Sequence, residues 1–116
     1  MAYKEKNLFR LGHIIDCIEK IEYISTEINI KIFLEDWIRQ DAMIRNFEII
    51  GEASIHISED LKEKYPEIEW RKMKGMRNFM AHEYFGIRLE TIYNTAIIDI
   101  PKLKLQIEKI ILEIEK

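Results

Sequence analysis

Residues 89–114, LETIYNTAIIDIPKLKLQIEKIILEI, return to an apolar side chain at Leu89, Ile92, Ala96, Ile100, Leu103, Ile107, Ile110 and Ile114. Steps of three and four close a single stripe on a helix of 3.6 residues per turn, and no part of the chain shows the alternation of a strand. This segment sets the class of architecture, because a long one-sided helix has to bury its stripe against other helices. Only Pro101 interrupts it. Proline removes one intrahelical hydrogen bond and crowds the preceding turn, so a kink or a two-piece helix is expected, with the packing stripe continuing.

The same periodicity recurs toward the N-terminus. Leu8, Leu11, Ile14, Ile15, Ile18 and Ile21 predict a helix from about residue 5 to about residue 25. The polar step Ser25-Thr26-Glu27 breaks the pattern, and Asn29 can cap a second helix. From Ile30 to about Ser58, Phe33, Leu34, Trp37, Ile44, Phe47, Ile50 and Ile55 suit that second helix, with one break near Asp36. Gly51 lies inside it. A glycine there costs about 1 kcal/mol relative to alanine, so its presence implies close approach by another backbone. The charged stretch Glu59–Glu67, with Pro66, reads as a connection. A third helix should begin at Glu67 to Glu69 and run to about Tyr84, with Gly86 placed to end it in a left-handed cap. The expectation is an all-α, up-and-down four-helix bundle over residues 1–116, one domain, with at most an extra short or proline-kinked helix.

Composition narrows the function classes. With 47% hydrophobic and 34% charged residues the chain has the balance of a globular domain, and at 116 residues it is small enough that a homodimer would add useful burial. Cys17 is alone, so neither a disulfide nor a cysteine metal site is available, which suits a reducing compartment. No apolar run approaches the roughly 20 residues that span a bilayer, and Met1–Lys6 lacks a signal core; a cytoplasmic protein with no membrane association is expected. The net charge of -3 argues against a general nucleic-acid coat and confines any RNA contact to a local patch.

The expected third helix carries the chemistry. At about 100° per residue, Met76, Phe79 and Met80 fall on one arc, and Arg77, Asn78, Ala81 and His82 on the other. Tyr84 lies two turns beyond Arg77, and Arg71, Lys72 and Lys74 add positive charge. An imidazole can take or give a proton near neutral pH, a guanidinium can hold a phosphate, and an amide can orient either. Those groups suit cleavage of RNA, whose 2′-hydroxyl supplies the nucleophile without a metal. His13 and His56 lie on other helices and form no ligand set with carboxylates, so no metal or other cofactor is expected. From spacing alone, an arginine five residues before a histidine suits a salt-bridged helix face as well as an active site.

The surrounding string separates these readings. Trp70 through Phe85, containing Gly75-Met76-Arg77-Asn78 and His82-Glu83-Tyr84-Phe85, resembles the HepT family of the HEPN superfamily. Arg45-Asn46-Phe47-Glu48-Ile49-Ile50-Gly51-Glu52-Ala53 and Ile100-Pro101-Lys102-Leu103 are further matches. The resemblance implies a homodimeric helical toxin of a toxin-antitoxin pair, a metal-independent ribonuclease leaving 2′,3′-cyclic phosphate ends. Its catalytic motif here is Arg77, Asn78 and His82, facing the second copy across a composite cleft. It also implies an MntA-like nucleotidyltransferase antitoxin that attaches AMP to Tyr84, where bulk and negative charge beside Arg77 would block phosphate binding. A reading from another class is a non-catalytic module that binds a nucleotide or substrate for a separate nucleotidyltransferase.

Other residues have plainer expectations. Arg71, Lys74, Asn46 and Glu52 can support RNA binding, although interhelical hydrogen bonds are the simpler role for Asn46 and Glu52. Trp37 and Trp70 are expected in the core, Met73, Met76 and Met80 in the bundle or at a dimer seam, and Cys17 as an inert buried thiol. His13 and His56 read as ordinary surface or half-buried residues, and Lys102, Lys104 and Lys109 as a solvated face.

Overall fold

The computed structural model describes residues 2–78 and 89–116. They form α1 (Ala2–Glu27), α2 (Ile30–Glu35), α3 (Trp37–Ile55), α4 (Glu59–Lys64), α5 (Trp70–Gly75), a 3-10 turn (Met76–Asn78) and α6 (Leu89–Glu115), with no strand among the described residues. The all-α architecture is as expected. The long helix α1 packs against both α3 and α6, and α5 with its 3-10 turn lies against α3.

The stripes read from the sequence form the core. Leu11, Ile14, Ile18 and Ile21 of α1 meet Ile44, Phe47 and Ile50 of α3 and Ile92, Ile100, Ile107 and Ile110 of α6, all fully buried. Each such side chain contributes about 1.5–3 kcal/mol relative to an exposed one. Helix α6 runs as one helix through Pro101, so of the two expected outcomes, a kink or a two-piece helix, the second is not found. Pro101 is on an exposed part of the helix, as is Ile97, whose carbonyl loses its partner there.

The short elements are set by side-chain caps. Asn29 accepts from the Ile32 amide at 2.9 Å and starts α2. Asp36 ends α2 in an extended conformation and starts α3, accepting from the Ile38 and Arg39 amides at 3.1 and 3.2 Å. The Arg39 guanidinium binds its other oxygen. That break corrects the expectation for Trp37. In one continuous helix Phe33, Trp37 and Gln40 would share a face, but the turn at Asp36 leaves Trp37 68% exposed while Phe33 stays fully buried. Gln40 instead closes the corner, its Nε2 donating to the Phe33 carbonyl at 2.9 Å.

The segment expected as a plain connection contains α4. Ser58 caps it, Glu59 and Asp60 occupy its first turn and Lys62 and Lys64 its last, the charge order a helix dipole favours. Leu61 anchors it in the core. Beyond it, Tyr65 donates to Glu113 of α6 at 2.8 Å, and the part-buried Trp70 donates from its indole to the Tyr65 carbonyl at 3.0 Å. The α1–α2 turn is held by Tyr93 of α6, whose hydroxyl donates to the Ile28 carbonyl at 2.7 Å. Lys104 corrects the expectation of a solvated face: its ammonium pairs with Glu22 of α1 at 3.1 Å.

Gly51 bears out the inference of close approach. A Cβ built at this position would stand 2.6 Å from the Arg77 backbone nitrogen and 3.0 Å from the Met73 carbonyl oxygen. Both are backbone atoms, so no rotamer change can relieve the overlap. Gly51→Ala should destabilise the protein by about 1–3 kcal/mol in urea unfolding; unchanged stability would show that α3 and the 3-10 turn are not in contact.

The Asp36 cap predicts a pH dependence. The Arg39 hydrogen bond, with the backbone amides, holds the Asp36 carboxyl below the usual carboxylate range. A depressed acid stabilises the fold above its unfolded pKa, and the contribution fades as pH falls through the folded one. Wild type should therefore melt above Asp36→Asn at neutral pH, with the gap closing in acid; a gap of constant size would discard this linkage.

Candidate functional site

The expected third helix begins as α5 at Trp70 and tightens to a 3-10 turn at Met76. Its faces divide as the periodicity predicts. Met73 and Met76 are 2% and 3% exposed, in the chain's own core, whereas Arg77 and Asn78 face outward. His82, Tyr84, Phe79, Met80, Ala81 and the Gly86 cap lie outside the described residues.

Because no side chain intervenes at Gly51, Arg77 sits directly over α3. There it lines a cleft of about 300 Å³ together with Arg10 and His13 of α1 and Arg45, Glu48 and Glu52 of α3, floored by Ile49 and Ala53. Three arginines from three elements thus line one concavity in a chain whose net charge is -3. Among the described residues none of the three has a carboxylate within 4.0 Å. Glu52 leans instead toward His56, with 3.7 Å between its Oε1 and the imidazole Nε2. Three cations against two carboxylates leave the cleft suited to an anion. Planar guanidiniums grip phosphate oxygens in pairs.

The remaining expected residues are distributed differently. Glu52 lines the cleft, and its near neighbour is His56 at the end of the same helix rather than a residue of another helix. Asn46 likewise bonds within α3, donating to the Ala42 carbonyl at 2.8 Å, and borders a neighbouring groove with Asp16, Lys20 and Tyr23. Arg71 and Lys74 are exposed but not part of the cleft lining, and Lys72 pairs with Asp99 of α6 at 3.2 Å. Arg10, His13, Arg45 and Glu48 are cleft residues that sequence reasoning does not single out. Arg45 and Glu48 do stand in the matching segment Arg45–Ala53, the signal that could find them, whereas Arg10 and His13 carry none. Cys17 is buried, and that burial pushes its thiol pKa up, as an inert thiol requires. Among the described residues no group of three or more His, Cys, Asp or Glu is placed to hold a metal ion, and no helix is long and apolar enough to cross a membrane.

The fold and cleft define an all-helical bundle with an arginine-lined cleft beside the turn that carries Arg77 and Asn78. Comparison with known proteins gives the family: residues 14–110 match the model of the family described as "Ribonuclease HepT-like", and the chain belongs to it. A relative from Thermococcus cleftensis named "Probable ribonuclease HepT" is 45% identical over 100 residues, covering 86% of this chain and 91% of its own length. Two from Methanocaldococcus jannaschii are similar. "Putative RNase MJ0125" is 35% identical over 106 residues, 91% of each chain. "Putative RNase MJ0127" is 36% identical over 115 residues, 99% of this chain and 94% of its own. No solved structure matches the chain significantly.

Proposed function

We propose that this protein is a metal-independent endoribonuclease, the toxin of a toxin-antitoxin pair, acting through Arg77, Asn78 and His82. The observation that supports this reading best is the convergence of Arg77 with Arg10 and Arg45 on one anion-suited cleft. In the proposed reaction the 2′-hydroxyl oxygen of RNA attacks the adjacent phosphorus, and the bond from phosphorus to the 5′-oxygen breaks. The products are a 2′,3′-cyclic phosphate and a 5′-hydroxyl. An imidazole at position 82 takes the 2′-hydroxyl proton, and a proton is returned to the 5′-oxygen. Arg77 holds the charge that builds on the non-bridging oxygens, and Asn78 orients phosphate or imidazole.

A homodimer would supply two copies of the motif, so that one imidazole takes a proton while the other gives one. An apolar row on α6 supports association: Ile98, Leu105 and Leu112 repeat every seven residues and are 69%, 70% and 64% exposed. The family resemblance supports a nucleotidyltransferase antitoxin that adds AMP to Tyr84. An adenylate phosphate near Arg77 would occupy the cation that RNA needs.

Total RNA incubated with the purified protein in EDTA should be cut, and His82→Ala should cut about 100- to 10,000-fold more slowly with an unchanged melting curve. Full cleavage by that variant would remove the mechanism, and tight nucleotide binding without cleavage would favour the non-catalytic module. Protein produced with a cognate nucleotidyltransferase should gain mass in whole AMP increments, and Tyr84→Phe should not; equal gain in both would place the modification elsewhere.

A further inference from the structure

Arg10 borders two concavities. One is the cleft it shares with Arg45 and Arg77; the other, of about 530 Å³, is lined by Tyr3, Glu5, Lys6, Phe9 and His56. The ridge between them carries the Arg10 guanidinium 5.5 Å from the centroid of the Phe9 ring, with the His13 ring 6.3 Å from Phe9 on the same helix. Phe9 is 67% exposed and Tyr3 is 73% exposed, so both side chains are largely open to solvent. Neither contributes to the core of the chain.

A cation placed between an anion cleft and an exposed ring matches what a single strand of RNA presents, a phosphate followed by an unstacked base. We propose that α1 forms a second subsite of the RNA site: Arg10, with His13 and Arg45, holds a phosphate flanking the one at Arg77, and a base next to it stacks on Phe9. This rests on the proposed RNA chemistry for its ligand class, but not on catalysis. Such a subsite selects single strands, because a paired base has no free face to offer the ring. Glu48 and Glu52, which would repel a phosphate set deeper, keep the backbone toward the arginine side and can accept from a base N–H.

The test uses the full-length protein and a fluorescein-labelled, single-stranded 2′-O-methyl RNA, which lacks the nucleophile, followed by anisotropy over a range of salt. Arg10→Ala should weaken binding several-fold and flatten the salt slope by about 0.7, the share of one phosphate contact on a single strand. Phe9→Ala should weaken binding about 5- to 100-fold with no change in slope, and Phe9→Trp should restore it. A duplex of the same sequence should be indifferent to Phe9→Ala. Unchanged affinity in both alanine variants overturns the subsite, as does loss of self-association by Phe9→Ala with RNA affinity intact, which would assign the ring to a protein interface. Cleavage of unmodified RNA by wild type separates the two ideas. If wild type cuts and the α1 variants bind normally, the subsite alone fails. If wild type binds through α1 without cutting, the nuclease reading alone fails, and if wild type does not bind the probe, the subsite falls with it.

Discussion

The site depends on the absence of one methyl group. Helix α3 and the turn that carries Arg77 touch backbone to backbone at Gly51, where a Cβ would come within 2.6 Å of the Arg77 amide nitrogen. Any other residue would lift the turn away from α3 and carry Arg77 off the wall formed by Arg45, Glu48 and Glu52. Glycine in a helix interior is unfavourable by about 1 kcal/mol, and the contact it permits joins the motif turn to a helix whose inner face is fully buried. Rigidity matters for the proposed chemistry, because a guanidinium can favour a charged transition state only if it is already in place.

The rest of the bundle serves the same end from a distance. Helix α1, which brings Arg10 and His13, is fixed at both ends by side chains as well as by the core. Asn7 exchanges two hydrogen bonds with Ser58, at 3.0 and 3.1 Å, and Tyr93 grips the turn after Glu27. Polar bonds of this kind, sheltered in part by the bundle, help to specify register, because a slip would leave several of them unmade. These bonds hold α1, and with it the Arg10 and His13 wall of the cleft, in one register against the rest of the bundle.

Periodicity alone exposes the stripes of α1, α3 and α6, because apolar burial outweighs every other contribution to helix packing. Gly51 is conspicuous as a helix residue with no local reason to be there, and Asn29 is readable as a cap because its chemistry is local. Trp37 defeats the same reading, since hydrophobicity cannot sense the change of register that the Asp36 cap imposes one residue earlier. The short helix α4 escapes it too, because a charged, six-residue element has almost no apolar period to detect. In the site, Arg77 and Asn78 are visible from their motif, whereas Arg10, His13 and Arg45 become neighbours only through the packing of α1 on α3. No spacing along one helix encodes a distance between two.

If the glycine contact places Arg77 in the same anion site as Arg10 and Arg45, the three guanidiniums must sense one ligand together. Their Nε–Hε resonances can be followed by NMR as a non-cleavable single-stranded RNA is added to wild type and to Gly51→Ala. In wild type the signals of Arg10, Arg45 and Arg77 should move together along one binding curve. In the variant Arg10 and Arg45 should still respond while Arg77 drops out of the set. Identical titrations of all three arginines in both proteins would show that the contact at Gly51 does not position Arg77.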